Sequence, residues 1–453
     1  ARPRQSMLRG VLPASTHGVL AVSLTLAAWM ASSDAFLLSP AVTLGHARPF
    51  AQSLRMTATA SGTSVIREAR NAKEMRYNKL GDSDLLVSEV CLGTMTWGKQ
   101  NSEEEAMKQM DIAFEEYGVN FIDTAEGYPI PLQPETSGQT DKMIGKWMKN
   151  KKREDVILGA KVSGASRRLT WLRDNKQGTR VSREQIFESV DKSLERLQTD
   201  YIDLLQIHWP DRYVPLFGPN QYDYDMERAA ISFEEQLQAM ADLVKQGKVR
   251  NWGLSNETPF GVMAFVSLAL EKGLPKPVSI QNSYSLLTRE FESGLAEVCS
   301  PSHTNTGLLA YSPLSAGVLS GKYDLKVREH QFSETLDADK SPVAPFQGND
   351  PNCRLNLLKG YKQRYEASQA PNAVLEYSKI ASKYGMSTVE LALSFVASRP
   401  FVPSTIVGAT NEAQLRENLD AFSREFTDDM LEDIAEVNIR YPDPWRTAQR
   451  GGG

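Results

Sequence analysis

Four polar side chains stand at the ends of short apolar runs, and their types can together move a proton. Asp123 closes one run and Tyr128 follows it by five residues, while Lys161 and His208 each follow a later run. Such runs predict buried strands, and barrel enzymes place their reactive groups at strand ends of this kind. Each residue also has a plainer interpretation, namely a loop cap for Asp123, a surface cation for Lys161, and packed rings for His208 and Tyr128.

Taken together, the four residue types suit the reduction of a carbonyl group. A free phenol has a pKa of about 10, which is too high for proton transfer at neutral pH. A lysine ammonium at about 4 Å, with an effective dielectric of about 20, contributes roughly 4 kcal/mol and would lower the pKa of Tyr128 by about three. Asp123 beside Lys161 would keep the ammonium protonated. His208 would then orient the substrate oxygen, with Tyr128 as the proton donor.

The surrounding sequence alternates strand and helix patterns in a way that predicts a closed barrel. A hairpin is predicted at residues 75–80 and 85–89, and helical spacing of apolar residues occurs at 102–117, 184–197, 233–245 and 389–398. The predicted barrel strands are 90–94, 120–123, 156–160, 201–207, 250–254, 278–281, 308–311 and 405–407. Eight strand–helix units predict an α/β fold, a (β/α)8 TIM barrel with an N-terminal β-hairpin.

The competing architecture is a doubly wound open sheet, which binds a dinucleotide through a G-x-G-x-x-G turn. The sequence contains no such turn, so the barrel is favoured. Two connections, residues 209–230 and 322–371, are long for a compact domain and predict lids at the C-terminal rim. Local disorder is the alternative for the second.

Composition and charge separate residues 1–64 from the rest of the chain. The 453 residues are 41% hydrophobic and 24% charged, as in an ordinary globular protein. Residues 1–64 hold five arginines, no lysine and one acid, while residues 65–453 hold 46 basic and 55 acidic side chains. This acidic body argues against nucleic acid as a partner. The first segment has an apolar run followed by a Ser-, Thr- and Arg-rich stretch, which predicts a signal and transit presequence for a plastid, with secretion or mitochondrial import as alternatives.

The cysteines and histidines show no metal-ligand spacing. Cys91, Cys299 and Cys353 are too far apart for a cluster and are expected to be small buried thiols. We therefore expect no metal.

The chain resembles the aldo-keto reductases from about residue 75 to residue 440. The matching segments, in family order, are Leu92-Gly93-Thr94-Met95-Thr96-Trp97-Gly98, Phe121-Ile122-Asp123 through Tyr128, Gly159-Ala160-Lys161, residues 201–209, Gly253-Leu254-Ser255-Asn256, Tyr311-Ser312-Pro313-Leu314 and Gln414-Leu415-Arg416-Glu417-Asn418. Finer details such as Tyr128-Pro129, Trp209-Pro210 and Ser255-Asn256-Glu257-Thr258 are similar to the Tas-type subgroup. The resemblance implies that Asp123, Tyr128, Lys161 and His208 form a catalytic tetrad with Tyr128 as general acid.

The same resemblance implies that NADPH lies across the barrel mouth. Tyr311 would stack on the nicotinamide, Ser255, Asn256 and Gln281 would bind its carboxamide, and a helix start near Thr410 would receive the adenosine. An ordinary capped helix is the alternative there. The residues implied to bind the cofactor are Gly93, Thr94, Met95, Asp123, Ser255, Asn256, Gln281, Tyr311, Ser312, Pro313, Leu314, Gly317, Lys322, Val407, Gly408, Thr410, Gln414, Glu417 and Asn418.

One departure from the family concerns the 2'-phosphate of NADPH. Residues 408–414 hold no Lys or Arg, which many relatives use there. Arg289, Arg354 or Lys359 could supply the charge, and NADH is the less favoured alternative.

Substrate identity is weakly specified. An apolar wall is expected from Trp97, Trp209, Tyr213 and Phe217. The loop after Lys161 is basic, with Arg167, Arg168, Arg173, Lys176 and Arg180 against Asp174. This loop favours a solvated charged surface over a site for an anionic substrate.

The sequence thus predicts an NADPH-dependent reductase that converts an aldehyde, ketone or quinone to an alcohol. Its predicted partners are a small carbonyl compound and, during import only, a membrane, and the protein is expected to be a monomer or a small homo-oligomer. One alternative is a dehydrogenase that works in the opposite direction. The other is a regulatory subunit that binds NADPH and senses redox state, like the potassium-channel β subunits.

Overall fold

The computed structural model describes residues 64–216, 221–323, 353–357, 365 and 369–445. The predicted presequence lies outside these residues except for Ser64, and so does most of the predicted second lid. Strand β1 (Val65–Arg67) comes first, and the antiparallel hairpin of β2 (Tyr77–Lys79) and β3 (Leu86–Ser88) follows, as predicted.

Eight parallel strands then close a barrel, which confirms the predicted fold class. Each lies within about two residues of its predicted bounds. The barrel strands are β4 (Val90–Gly93), β5 (Phe121–Asp123), β6 (Ile157–Val162), β7 (Ile202–Ile207), β8 (Val249–Ser255), β9 (Ser279–Ser283), β10 (Gly307–Tyr311) and β11 (Ser404–Val407). Around the ring their order is β10, β11, β4, β5, β6, β7, β8, β9. A last strand, β12 (Phe426–Thr427), pairs with β1 outside the barrel.

Helices surround the barrel, and side-chain caps set where most of the long ones begin. Ser102, for example, accepts a hydrogen bond from the Glu105 N–H while the Glu105 carboxylate accepts one from the Ser102 N–H. Within the described residues the α-helices are α1 (Glu103–Asp111), α2 (Gln139–Met148), α3 (Arg183–Leu197), α4 (Phe233–Lys245), α5 (Pro259–Lys272), α6 (Gly294–Val298), α7 (Arg354–Leu357), α8 (Ala370–Lys383), α9 (Thr388–Ala397), α10 (Glu412–Asp420) and α11 (Asp428–Arg440). None of the described helices is long and apolar enough to cross a membrane.

Alternation along the strands decides which residues face the barrel interior. In β5, Phe121 packs in an interior cluster with Leu80 of the hairpin and Leu204 of β7, while Ile122 packs outward against the helices. Because side chains alternate with a period of two, Asp123 faces inward again, one layer nearer the C-terminal end. The hairpin therefore fills the N-terminal end of the barrel, and polar residues occupy the other end.

Candidate active site

A cavity of about 960 Å³ opens at the C-terminal ends of the barrel strands. Asp123, Tyr128 and His208 line it, and Tyr128 is buried except for the edge that it presents to the cavity. Lys161 lies beneath them with a side chain that is 0% exposed. The structure therefore brings together the four residues that the sequence singled out.

The Lys161 ammonium is held between two oxygen atoms. Its Nζ donates to Asp123 Oδ2 at 2.6 Å and to the carbonyl oxygen of Thr124 at 2.8 Å. Burial alone would lower the pKa of Lys161, but the negative charge of Asp123 and the proximity of Tyr128 outweigh it, and the pKa is raised. Lys161 therefore stays a cation at neutral pH.

The two rings above Lys161 meet edge to face. Lys161 Nζ lies 4.9 Å from the centroid of the Tyr128 ring, and the Tyr128 and His208 ring centroids are 5.9 Å apart. Enclosure of the imidazole by protein, together with the positive charge of Lys161, lowers the pKa of His208 well below its usual value. His208 is thus a neutral hydrogen-bonding group at neutral pH, and Lys161 is the cation that lies beside the Tyr128 ring.

Two glutamines hold the other oxygen of the Asp123 carboxylate. Gln281 Nε2 donates to Asp123 Oδ1 at 2.9 Å and Gln206 Nε2 at 3.3 Å. Gln206 was missed by the sequence reasoning, although its spacing of two from His208 was a usable signal for a shared interior face. These donors fix the carboxylate that fixes Lys161.

The implied cofactor residues, without exception, line the same cavity. In the ring of strands they come from β4, β5, β8, β9, β10, β11 and the segments that follow them. Among them Ser255 Oγ donates to the Gln281 carbonyl oxygen at 2.8 Å, and Tyr311 donates its hydroxyl to Asn256 Oδ1 at 2.6 Å. Asn256 holds a left-handed backbone at φ 53° and donates to the His208 carbonyl oxygen at 2.8 Å. The strand ends β7, β8 and β10 are thereby joined at the cavity floor.

Comparison with known proteins places this architecture in a family. The sequence model of the aldo/keto reductase family matches residues 89–439. The chain belongs to the aldo/keto reductase family. Membership supports NAD(P)H-dependent oxidoreduction in general terms, and the residues named above are the ones available for it.

Three relatives illustrate the range of the likeness. The chain is 41% identical over 375 residues to "Protein tas" of Escherichia coli, which covers 82% of this chain and 99% of the relative. It is 39% identical over 305 residues to an "Aldo-keto reductase" of Babesia bovis, covering 65% of this chain and 99% of the relative. It is 31% identical over 352 residues to a "Probable voltage-gated potassium channel subunit beta" of rice, covering 77% of this chain and 91% of the relative.

The segment after β10 follows a tight left-handed path along the cavity. Ser312, Ser315, Ala316 and Gly317 have φ of 55°, 49°, 59° and 88°. Left-handed residues so close together are strained and are rare outside functional loops. Within the segment, the N–H groups of Ser315 and Gly317 donate to the carbonyl oxygens of Ser312 and Leu314 at 2.8 and 2.9 Å. Lys322, from the end of this segment, is exposed and lines the cavity.

Two glycines let strands β4 and β11 approach each other at the cavity wall. A Cβ added to Gly93 would lie 2.8 Å from Ile406 Cγ2, and one added to Gly408 would lie 3.2 Å from the Gly93 carbonyl oxygen. Only a residue without a side chain fits Gly93 undisturbed. Both glycines also line the cavity.

The start of α10 satisfies its own polar groups in this structure. Asn411 Oδ1 accepts from the Gln414 N–H at 2.9 Å, and Thr410 Oγ1 donates to Gln414 Oε1 at 2.9 Å. A capped helix and a nucleotide site are compatible here, because Thr410, Gln414, Glu417 and Asn418 all face the cavity.

A buried ion pair, unforeseen from sequence, fixes the loop that carries the phenol. Glu126 accepts hydrogen bonds from Arg173 at 2.7 and 3.0 Å, from Ser189 Oγ at 2.7 Å and from the Ser163 N–H at 2.7 Å. Burial would raise the pKa of Glu126, but Arg173 and the other donors prevail and lower it. Because Glu126 lies between Asp123 and Tyr128, the pair attaches that loop to the one after β6.

Two similar pairs continue around the rim. Asp211, after β7, accepts from Arg180 at 2.7, 2.9 and 3.1 Å. Glu257, after β8, accepts from Arg212 at 2.5 and 2.9 Å. The loops after β5, β6, β7 and β8 are thus each tied to the next. Nothing in the local sequence pairs these residues, which lie 31 to 47 positions apart.

The predicted apolar wall needs correction. Trp97 is 0% exposed and donates its Nε1 to Gln109 at 3.2 Å inside the outer core. Tyr213 does not line the cavity, and its ring packs at a tilt of 58° against that of Tyr222. Trp209 does line the cavity. Phe217 lies outside the described residues. Apolar wall residues that the sequence reasoning missed are Ile130, Leu132, Leu169, Leu216 and Val389.

The structure also separates the predicted cations into those that line the cavity and those that do not. Arg289 pairs with Glu292 at 2.8 Å and does not line the cavity, so it is not the missing 2'-phosphate ligand. Arg354 does line it, and Lys359 is outside the described residues. The solvated interpretation of the basic loop is wrong for Arg173, which is 0% exposed.

The three cysteines are free and buried, as expected. Burial raises the pKa of Cys299 to about 12. Among the described residues, no group of three or more His, Cys, Asp or Glu could hold a metal ion.

Proposed function

We propose that the protein is an NADPH-dependent reductase that converts an aldehyde, ketone or quinone to an alcohol, with Tyr128 as general acid. The observation that carries the proposal is the Lys161 ammonium, which is fixed by Asp123 at 2.6 Å and lies 4.9 Å from the Tyr128 ring at the base of an open cavity. A buried cation at this place favours the phenolate, so it eases proton loss from Tyr128 to a developing alkoxide.

Each residue then has a separate task. When bound, the reduced nicotinamide supplies a hydride to the carbonyl carbon. Neutral His208 donates a hydrogen bond that orients the carbonyl oxygen, and Tyr128 gives that oxygen its proton. Asp123 keeps Lys161 charged and in place. Solvent returns the proton to Tyr128, and the cofactor ratio decides whether reduction or the reverse oxidation runs.

The proposed cofactor residues divide by the chemistry of the parts that they would hold. Tyr311 offers an aromatic face to the nicotinamide, and Ser255, Asn256 and Gln281 offer donors and acceptors to its carboxamide. The left-handed segment with Gly317 and Lys322 would hold the pyrophosphate. Among the described residues, Thr410, the start of α10 and Arg354 line the part of the cavity that would hold the adenosine and its 2'-phosphate. A cation at this place supports NADPH over NADH.

A titration of the full chain with NADPH and NADH, followed by single-turnover oxidation with a panel of aldehydes and quinones, tests the proposal. Tight NADPH binding and carbonyl-dependent oxidation are expected. Tight binding with negligible turnover across the panel would contradict a reductase.

Tight binding without turnover would favour a regulatory NADPH-binding subunit. One feature of the surface supports this alternative. The outward face of α5 presents Phe260, Met263 and Leu270, which are 66%, 43% and 69% exposed. None of these three residues lines the cavity, and a partner could cover them. The relatives named as potassium channel β subunits support the same alternative.

Delivery to a plastid is a separate proposal that rests on residues 1–64 alone. The charge and apolar run of this segment support it. Fusion of these residues to a fluorescent protein in a cell with a plastid tests it, and a secreted or mitochondrial signal would contradict it.

A further inference from the structure

The loop after β6 carries four arginines, of which two form ion pairs at the rim and two are exposed. Arg173 pairs with Glu126 and Arg180 pairs with Asp211. These two ion pairs hold the loop to the loops after β5 and β7. Arg167 and Arg168 are exposed. Of this remaining pair only Arg168 lines the cavity.

The position of Arg168 on the rim places it away from the proposed cofactor residues. In the closed ring, β6 lies opposite β10, and β7 lies opposite β11. The segments proposed for the pyrophosphate and adenosine follow β10 and β11, whereas Arg168 follows β6. Trp209, after β7, donates its Nε1 to the Ala165 carbonyl oxygen at 3.1 Å and so fixes the start of the Arg168 loop beside His208. Arg168 therefore belongs to the half of the cavity left for substrate.

Among the residues that the structure describes, this half of the wall holds no other charged side chain apart from Asp123 at the floor. Its side chains include Ile130, Leu132, Leu169 and Leu216. Neutral His208 adds no charge, and Asp123 at the floor is matched by Lys161. Within the described residues the Arg168 guanidinium makes no ion pair and no hydrogen bond. The N–H groups of a guanidinium at the edge of an apolar wall can bind a carboxylate through two parallel hydrogen bonds.

We propose that Arg168 selects carbonyl substrates that carry a carboxylate, joined to the reacting carbonyl by an apolar body. The apolar wall would hold the body, Tyr128 and His208 would hold the carbonyl oxygen, and Arg168 would bind the carboxylate near the mouth. This substrate class rests on the proposed reductase function. Arg168 would act through binding, so it would change KM rather than kcat.

A matched pair of aldehydes tests the proposal on the full chain. 4-Carboxybenzaldehyde carries the charge, and its methyl ester has nearly the same shape without it. Arg168→Gln is expected to raise KM for the acid roughly tenfold and to leave the ester within about twofold, with kcat little changed. The neighbouring Arg167→Gln, exposed but off the cavity wall, is the matched control and should behave as wild type. Added salt should raise KM for the acid alone, because the ion pair is partly exposed.

Two results would overturn the proposal: an equal loss on acid and ester, which indicates a structural role for Arg168, or no change on either. A second readout separates this failure from failure of the reductase function. Calorimetric titration of the NADP⁺-saturated chain with 4-(hydroxymethyl)benzoate needs no turnover. Weaker binding to Arg168→Gln supports the carboxylate site even if neither aldehyde is reduced, and equal binding to both proteins refutes it.

Discussion

At the scale of single residues, the decisive feature is a lysine that keeps its charge inside the barrel. The Lys161 side chain is 0% exposed, yet Asp123 and the Thr124 carbonyl group accept two of its three possible hydrogen bonds. A buried ammonium without such partners would lose its proton. The tetrad is therefore one electrostatic unit, and its parts should fail in distinguishable ways.

Removal of the Tyr128 hydroxyl should stop the reaction without disturbing the cofactor. Tyr128→Phe is expected to lower kcat by about a hundredfold or more, since the proton donor is lost. The Kd for NADPH should change less than about twofold, because the hydroxyl is not among the proposed dinucleotide contacts. Stopped-flow oxidation and fluorescence titration measure the two quantities. Tyr213→Phe, outside the cavity, is the control, and full activity in Tyr128→Phe would refute the assignment.

His208 should make stability depend on pH in a defined direction. Its folded-state pKa is lowered below the free value of about 6.5, so the unfolded chain binds more protons as the pH falls through that value. The contribution of His208 to the free energy of unfolding should then be complete above about pH 6.5. Below that pH the free energy of unfolding should decrease by up to about 1.4 kcal/mol per pH unit. Urea denaturation at about pH 7.5 and about pH 5 measures this. His208→Asn should lose less stability between the two pH values, and an identical loss in both proteins would contradict the prediction.

At the scale of elements, the strands present the reactive groups but the loops must hold them still. The ion pairs of Glu126, Asp211 and Glu257 tie each rim loop to the next, from β5 round to β8. A buried pair adds little net stability against an apolar replacement, but loss of one partner leaves an uncompensated charge. These pairs therefore matter for position more than for the total free energy of folding.

Arg173→Gln should expose this role. The change leaves the Glu126 carboxylate buried without its cation, at a cost of about 3–5 kcal/mol in the free energy of unfolding. kcat should also fall, since Glu126 lies in the loop that carries Tyr128. Urea denaturation and steady-state kinetics measure the effects. Arg167→Gln, on the same loop but at the surface, should stay within about 0.5 kcal/mol of wild type, and equal midpoints for the two variants would count against the pair.

At the scale of the whole molecule, residues 64–88, which precede the region matched by the family model, are part of the fold. Strand β1 pairs with β12 near the C-terminus, and Arg67 donates to Glu89 at 2.8 Å and to the carbonyl oxygens of Phe422 and Ala397 at 2.9 Å. Burial lowers the pKa of Arg67 to about 10, so it stays charged at neutral pH. Arg70 pairs with the same carboxylate.

A chain that begins at Met75 should therefore be less stable than one that begins at Ser64. It lacks both arginines that pair with Glu89, whose side chain is 4% exposed, and should lose about 3 kcal/mol or more. Urea denaturation compares the two. Glu89→Gln should recover part of the loss in the shorter chain because it removes the buried charge. Equal stability of the two chains would show that β1 and its arginines are dispensable.

The sequence by itself determined the barrel and the four residues at its mouth. Period-two alternation put Asp123 on the same face as Phe121, and strand ends placed Lys161 and His208 at the same rim. The spacing of apolar residues predicted helices that begin near Ser102 and Ser387, and the structure shows both serines as caps. These features depend on neighbours within a few positions, and so a pattern reveals them.

Only the tertiary structure decided which charged and aromatic residues are buried. Arg168 and Arg173 look alike in a basic loop, and Trp97 and Trp209 both look suited to a cavity wall. One member of each pair is buried because a distant partner, Glu126 or Gln109, meets it in three dimensions. Burial of a charge or a ring follows from what packs against it, and the chain alone does not state which distant segments will meet.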